Sequence, residues 1–98
     1  MENATDFSGQ QLQVGDIVLR ASYSNMTFHR IVRINRRSIS ISCGITVHTY
    51  PSGRTWTRRT YCTRLQDIDS PEFNNTSPVR VWLNWQTRSC PSLYKIQQ

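Results

Sequence analysis

Residues 38–45 read Ser38-Ile39-Ser40-Ile41-Ser42-Cys43-Gly44-Ile45, so apolar side chains occupy every second position. Successive side chains of an extended chain point to opposite faces, and this alternation predicts a β-strand with one apolar and one solvated face. The same period recurs from Ile17 to Ala21, from Phe28 to Ile34 and from Val79 to Trp85. No apolar run has the three-and-four spacing of a helix. The sequence therefore predicts an all-β protein.

The alternation also predicts which side chains of two strands point inward. In the strand that ends at Ile34, the expected inward residues are Phe28, Val32 and Ile34, with Arg30 on the same face. In the strand that begins at Val79, the residues expected on one face are Val79, Val81, Leu83 and Trp85, and those expected on the other are Arg80 and Trp82.

Turn-forming residues separate the predicted strands. Asn35-Arg36-Arg37 predicts a tight turn, and Pro51-Ser52-Gly53 predicts the turn of a β-hairpin. The arms of that hairpin are expected from Val47 to Tyr50 and from Thr55 to Leu65. Threonine, tryptophan and tyrosine in the second arm favour strand formation.

Three further segments connect or follow these strands. Ser22 to Asn25 predicts a polar connection, and the Asp, Ser, Pro and Asn residues of 67–78 predict a surface loop. One helical turn is expected near Leu65 to Ile68. A short last strand is expected at Leu93, Tyr94 and Ile96.

Arginine dominates the charged residues. From Ile17 to Gln66 the chain has nine arginines and no aspartate, glutamate or lysine, and the net charge of the whole chain is +6. A guanidinium group binds phosphate or carboxylate through two parallel hydrogen bonds and stacks on flat rings, whereas an ammonium group acts as a point charge. The composition predicts a surface that binds a polyanion. The simpler alternative is that these arginines are ordinary solvent-facing strand residues.

Four short segments, taken in their order along the chain, carry a family resemblance. They are Asp6-Phe7-Ser8-Gly9, Val14-Gly15-Asp16-Ile17-Val18, Arg30-Ile31-Val32-Arg33-Ile34 and Ser38-Ile39-Ser40-Ile41. This order resembles the opening of small SH3-like β-barrels, the KOW and Tudor-type modules, in which a Val-Gly-Asp-x-Val step enters the first strand. The lead-in is also similar to small barrels encoded by bacteriophages, some of which are thought to bind DNA or host proteins. In two respects the chain departs from the pattern: the loop from Ser22 to Thr27 is short, and residues 79–96 lie outside the module.

The resemblance implies an SH3-like barrel of about five strands with a C-terminal β extension. The 98 residues suffice for a single domain. Within it, the barrel core is expected at residues 6–66, the loop at 67–78 and the extension at 79–98.

Two groups of arginines flank the predicted turns, and aromatic residues accompany the second group. Neutralised phosphates supply most of the non-specific affinity for nucleic acid, and stacked bases add to it. We interpret the two groups as one nucleic-acid-binding surface, for DNA or RNA, with Tyr50 or Tyr61 as further stacking platforms. The residues of this surface are Arg33, Arg36, Arg37, Arg54, Trp56, Arg58 and Arg59. The alternative is that Trp56 and Tyr61 fill the core and that the arginines are only solvated.

Arg80 and Trp82 are candidates for a protein interface. Arginine, tryptophan and tyrosine are enriched at interface hot spots, so the chain also suits a small phage-encoded inhibitor or adaptor that binds an acidic face of a host protein. Packing of the C-terminal segment onto the barrel would instead cover Trp82. A third hypothesis is an assembly protein in which residues 79–85 pair with another copy, so a monomer and a weak homodimer both remain open.

No enzyme, metal or cofactor is expected. The acidic residues lie in termini and loops, no nucleophile motif or phosphate loop appears, and Cys43 and His48 lack the paired cysteines of a zinc site. Cys43, Cys62 and Cys90 are expected as buried free thiols, which suits a reducing compartment. No apolar run reaches the roughly 20 residues that span a bilayer, and the start lacks a secretion signal. The protein is therefore expected in the cytoplasm, the host's if it is phage-encoded, without a membrane partner.

Overall fold

The computed structural model describes residues 3–21, 25–74 and 79–96, and within these ranges the protein is all-β, which confirms the predicted class. The strands found there are β1 Ala4–Asp6, β2 Gln11–Leu12, β3 Ile17–Ala21, β4 Met26–Ile34, β5 Ser38–Ile41, β6 Gly44–Thr49, β7 Thr55–Thr60, β8 Val79–Trp82, β9 Ser89–Cys90 and β10 Leu93–Lys95. Two short 3₁₀ helices, Leu65–Asp67 and Pro71–Phe73, follow β7.

The main sheet has five strands in the order β10-β3-β4-β5-β8, and every neighbouring pair is antiparallel. β3, β4 and β5 follow one another as a meander, and β10 returns to pair with β3. β8 and β10 form the two edges and are not hydrogen-bonded to each other, so the sheet is not a closed barrel. The segment that the sequence assigned to a C-terminal extension thus supplies both edges of the main sheet.

Two smaller sheets complete the described fold. β1 pairs with β2 in antiparallel and with β9 in parallel orientation, and β6 and β7 form a separate hairpin. The carboxylate of Asp6, at the end of β1, accepts hydrogen bonds from the backbone N–H groups of Ser8, Gln10 and Lys95. Gly9 completes this turn with a φ of 91°, a conformation that glycine adopts without strain. The acidic-aromatic-x-Gly lead-in therefore ties the first small sheet to the main sheet.

The core lies against one face of the main sheet. Ile39 and Ile41 of β5 stand opposite Val81 and Val79 of β8, and all four are buried. Both strands thus confirm the inward residues that alternation predicts. The core is completed by Ala4, Leu12, Val18, Ile31, Cys43, Leu83, Cys90 and Leu93. A smaller cluster consists of Ile17, Cys62 and Ile68, with Phe28, Phe73 and Ile96 packed against it.

The serine face of β5 is not solvated, and this prediction was wrong. Ser38, Ser40 and Ser42 are all buried. The amide of Asn35 donates hydrogen bonds to the hydroxyls of Ser38 and Ser40, and the hydroxyl of Ser42 accepts one from the backbone N–H of Arg30. Each hydroxyl keeps a polar partner, which is why small polar side chains can be buried here.

Residues 38–45 do not form one strand, because the chain leaves the main sheet after Ile41 and enters the hairpin at Gly44. An added Cβ at Gly44 would overlap the Thr60 hydroxyl and the Glu72 carbonyl oxygen, so only glycine allows this close approach. The hairpin arms are Gly44–Thr49 and Thr55–Thr60 rather than the predicted 47–50 and 55–65.

The predicted facing of β4 holds for Ile34, which packs against the main core, but was wrong for Val32. The buried side chains of β4 are Thr27, His29 and Ile31, whereas Val32 is exposed and Phe28 is half-buried. A register shift between Ile31 and Arg33 reverses the faces along the strand. Burial of His29 is possible because its ring nitrogens have partners: Nδ1 bonds the Ser42 carbonyl oxygen at 2.6 Å, and Nε2 bonds the Thr27 hydroxyl at 2.7 Å.

Trp85 does not share the inward face of Val79, Val81 and Leu83, contrary to prediction. The strand ends at Trp82, and the side-chain oxygen of Asn84 accepts hydrogen bonds from the backbone N–H groups of Gln86 and Thr87. This turn breaks the two-residue period and leaves Trp85 70% exposed.

The other predicted connections agree with the structure where it describes them. Asn35 donates its backbone N–H to the Ser38 carbonyl and closes the β4–β5 turn, and Gly53 has a φ of 88° at the hairpin tip. A 3₁₀ helix occupies the predicted helical turn after residue 64. Of the connection predicted at 22–25, residues 22–24 lie outside the described ranges, as do residues 75–78 of the predicted loop. All three cysteines are buried and free, as expected.

Candidate functional site

The first candidate surface is the hairpin of β6 and β7, here called the hairpin arm (Gly44–Thr60). Strands of six residues extend for about 20 Å at the usual rise per residue. Every residue from Thr46 to Arg59 is exposed. Neither face of the arm therefore packs against the main sheet, and the molecule measures 49 × 27 × 26 Å, in keeping with a projecting arm.

One side of the hairpin arm, here called the aromatic face, combines rings with cations. His48 stands opposite Trp56 and Thr46 opposite Arg58 in the register of the two strands, and directly opposed residues share a face. The rings of His48 and Trp56 stack with centroids 4.2 Å apart and planes at 15°. Trp56 is thus outside the core and 40% exposed, which excludes the buried alternative.

A groove of about 690 Å³ lies beside this stack at the tip of the arm. It is lined by Tyr50, Pro51, Ser52, Arg54, Thr55 and Trp56. Tyr50, which the sequence names as a further stacking platform, therefore lines the same groove as Trp56. Tyr61 lies beyond the arm and packs its ring edge-on against His29, with centroids 5.8 Å apart.

The opposite side of the hairpin arm, here called the threonine face, carries small side chains. Val47 stands opposite Thr57, and Thr49 stands opposite Thr55. Arg59 lies on this side as well, opposite Ile45 at the root of the arm. Arg58 and Arg59 therefore point to opposite faces, as the alternation predicts.

The second candidate surface lies on the outer side of β4, β5 and β8, facing away from the core. Arg33 stands opposite Ser40, which in turn stands opposite Arg80, and Ser38 stands opposite Trp82. The small serines lie between the arginine and tryptophan side chains of the neighbouring strands. We call this surface the outer-face patch, and it consists of Arg33, Arg36, Arg37, Arg80, Trp82 and Trp85.

The two tryptophans of the outer-face patch are largely open to solvent, at 67% for Trp82 and 70% for Trp85. With Arg37 and Leu83 they line a groove of about 370 Å³. The C-terminal segment does not cover Trp82, so the alternative in which it packs over this ring is wrong. The sequence missed Trp85 as a surface residue, although the polar run that follows it signals a turn.

The structure does not bring the predicted arginines together as one surface. Arg36 and Arg37 lie in the turn before Ser38, at the start of β5, whereas the hairpin arm begins after Ile41, at its other end. Arg33, Arg36 and Arg37 instead share the outer-face patch with Arg80 and Trp82, which the sequence assigned to a protein interface. Arg54, Trp56, Arg58 and Arg59 remain together on the hairpin arm.

The ion pairs of the described residues lie away from the hairpin arm and the outer-face patch. Arg30 pairs with Asp69 at 2.8 Å, Arg64 with Asp67 at 3.9 Å and Lys95 with Asp16 at 3.4 Å. In residues 3–21, 25–74 and 79–96, no carboxylate pairs with an arginine of the hairpin arm or of the outer-face patch. The unpaired arginines of the two surfaces are Arg33, Arg36, Arg37, Arg54, Arg58, Arg59 and Arg80.

The buried histidine and cysteine side chains favour their neutral forms. Burial lowers the pKa of His29, a hydrogen bond to the Ser42 carbonyl opposes this shift, and the charge of Arg20 adds to it. Burial likewise raises the pKa values of the Cys43, Cys62 and Cys90 thiols. The part of the chain that the structure covers has no cluster of histidine, cysteine or acidic side chains that would hold a metal ion. None of its helices is long and apolar enough to cross a membrane.

Comparison with known proteins gives a family but no function. A family model described as a domain of unknown function (DUF7205) matches residues 4–65. The chain belongs to this family. The matched region contains β1 to β7 and thus the whole hairpin arm, whereas Arg80, Trp82 and Trp85 of the outer-face patch lie beyond it. No curated protein and no solved structure matches the chain.

Proposed function

We propose that this DUF7205 protein is a non-catalytic module that binds nucleic acid through the arginines of the hairpin arm and the outer-face patch. The supporting observation is the distribution of ion pairs. The carboxylates of Asp16, Asp67 and Asp69 lie beside Lys95, Arg64 and Arg30, while no carboxylate in the described part of the chain pairs with any of the seven arginines of the two surfaces. Uncompensated guanidinium groups beside exposed rings are suited to phosphates and bases.

The scaffold in this proposal is a small SH3-like barrel with an open seam. In the sheet order β10-β3-β4-β5-β8, the last strand of the chain pairs with β3, the first strand of the main sheet. Pairing of β8 with β10 is the one further step that would close this sheet into a barrel. On this view β8 and β10 belong to the barrel, and the hairpin arm is an insertion between β5 and β8. The three buried free thiols are consistent with a reducing compartment, so the cytoplasm, that of a host cell if the protein is phage-encoded, is part of the proposal.

The test is binding of labelled double- and single-stranded DNA and RNA at low and at physiological salt. Neutralising Arg36, Arg37, Arg58 and Arg59 together is expected to weaken binding. The slope of log affinity against log salt should flatten by about one for each arginine that no longer binds a phosphate. Unchanged affinity and slope in this variant would contradict the proposal.

Partial variants separate the two surfaces. Arg36→Gln/Arg37→Gln alters only the outer-face patch, and Arg58→Gln/Arg59→Gln alters only the hairpin arm. Arg64→Gln is the control, because it removes a positive charge that Asp67 already compensates. If net charge alone mattered, this control would reduce affinity as much, per charge removed, as the variants of the two surfaces.

A second candidate function is an inhibitor or adaptor that binds an acidic face of a host protein. It is favoured by the groove between Trp82, Trp85 and Arg37, because exposed tryptophan beside arginine is typical of interface hot spots. It predicts one stoichiometric protein partner in a pull-down from bacterial lysate and no binding of the labelled DNA or RNA. Loss of that partner in Trp82→Ala would then identify the outer-face patch as the interface.

A further inference from the structure

The hairpin arm has the dimensions of an element that enters a nucleic-acid groove. It is a two-stranded ribbon about 20 Å long that is exposed on both faces, and the major groove of B-form DNA admits a ribbon of this kind. The major groove of A-form RNA is too deep and narrow for side chains to read. A ribbon with this geometry therefore discriminates between the two duplexes.

The two faces of the arm differ in what they offer to a groove. The aromatic face is thick, because the stacked rings of His48 and Trp56 stand on it. The threonine face is thin, and its exposed side chains end in methyl and hydroxyl groups. Threonine and other small apolar groups contact the C5-methyl group of thymine, and hydroxyls bond to base edges, both of which are displayed in the major groove.

The charges of the arm lie on β7 or directly before it, along one edge of the ribbon, and fit the phosphate backbone at one side of such a groove. Arg58 and Arg59 project from opposite faces, and Arg54 follows the turn at the tip. From Gly44 to Thr60 the chain contains no acidic residue, so nothing on the ribbon repels the two phosphate backbones.

We infer that the hairpin arm lies in the major groove of double-stranded DNA, with the threonine face (Val47, Thr49, Thr55 and Thr57) against the base edges and Arg54, Arg58 and Arg59 on the phosphates. This inference rests on the proposed nucleic-acid binding and specifies its ligand as duplex DNA. Thymine methyl groups are then recognised by the methyl groups of the threonine face.

The experiment measures the affinity of the full chain for duplex DNA, for duplex RNA of the same length and sequence, and for duplex DNA with uracil in place of thymine. We expect duplex RNA to bind about tenfold more weakly. Uracil substitution removes only methyl groups from the major groove, and removal of each methyl group that the threonine face touches should weaken binding about fourfold.

A pair of variants tests which face is involved. Thr57→Ser removes one methyl group from the threonine face, and Thr46→Ser removes one from the aromatic face. Thr57→Ser should weaken binding to thymine DNA and have a smaller effect on uracil DNA, because both changes remove the same contact. Thr46→Ser should have the same effect on both duplexes.

The possible outcomes separate this inference from the proposed function. Binding of duplex DNA that neither uracil nor Thr57→Ser changes would overturn the groove assignment and leave nucleic-acid binding in place. A preference for single strands that Trp82→Ala abolishes would also overturn it and would assign binding to the outer-face patch. If no polynucleotide binds at low salt, the proposed function and this inference both fail.

Discussion

Single buried polar residues join parts of the fold that are distant in sequence. Asp6 is 1% exposed, and its carboxylate holds the turn after β1 and the backbone of Lys95 in β10. His29 is fully buried and joins Thr27 to Ser42. Burial by itself raises the pKa of Asp6, but the hydrogen bonds from Lys95, Ser8 and Gln10 outweigh it, so the pKa lies below its ordinary value.

Asp6→Asn should destabilise the protein at neutral pH by about 1.5–3 kcal/mol, because an amide group would face backbone donors in place of a carboxylate oxygen. A lowered folded-state pKa means that the ionised carboxylate stabilises the fold above its unfolded pKa of about 3.9. That stabilisation is lost as the pH falls through the folded-state value. Urea denaturation of both proteins from neutral to acidic pH should therefore show the difference shrinking below about pH 4.

Asp69→Asn is the control for this prediction, since Asp69 forms an exposed pair with Arg30 and such pairs contribute little. Equal stability of Asp6→Asn and the unsubstituted protein at neutral pH would show that the carboxylate is not the tie between β1 and β10.

At the level of elements, the contacts of Gly44 at the root of the hairpin determine the position of the arm. Gly44 lies against Thr60 and against the carbonyl oxygen of Glu72, in the short 3₁₀ helix Pro71–Phe73. The rest of the arm has no such contact with the body, because its residues from Thr46 to Arg59 are exposed. The position of the arm therefore depends on a close backbone approach that only glycine permits.

Gly44→Ala is expected to lower the free energy of unfolding by about 1–3 kcal/mol, the usual penalty for forcing an added group into a packed site. Thr46→Ala, an exposed change two residues further along the same strand, should leave stability almost unchanged. Thermal denaturation of the two variants compares a change at the root with one on the free arm. A stable Gly44→Ala protein with an unshifted transition would mean that the root can move aside.

At the scale of the whole molecule, the family match and the folding unit have different limits. The match ends at residue 65, whereas the core also uses Val79, Val81, Leu83, Cys90 and Leu93. Without β8 and β10, Ile39 and Ile41 would lose the strand beside them and β3 would become an edge.

A fragment of residues 3–74 should therefore fail to fold cooperatively. Removing the C-terminal strands exposes the apolar face of β5 to water, and a chain of this size has little stability in reserve. Circular dichroism during urea denaturation should show no sigmoidal transition for the fragment and a clear one for the full chain. A fragment with a native-like transition would show that the matched region is a folding unit by itself.

The sequence determined the properties that are local in the chain. Alternation at Val79 to Leu83 determines which residues are buried, and at Ser38 to Ile41 it determines which side chains face the apolar core, because the period of a strand is a property of consecutive residues. Turn chemistry determines the connections at residues 35–37 and 51–53, and the acid-free composition of residues 17–66 explains why most arginines in the described ranges pair with no carboxylate. The same local logic failed at Trp85 and along β4, where a turn and a register shift change the period.

Only the tertiary structure decided how the arginines are grouped. The Asn35–Arg37 turn and the hairpin arm lie at opposite ends of β5, so their arginines belong to different surfaces. Strand pairing, in turn, places Arg80 in line with Arg33 across Ser40. Which residues are cross-strand neighbours depends on the pairing of segments about forty residues apart, and a linear pattern carries no such information. The basic surface that the sequence predicts as one is therefore two, a projecting arm and a sheet face.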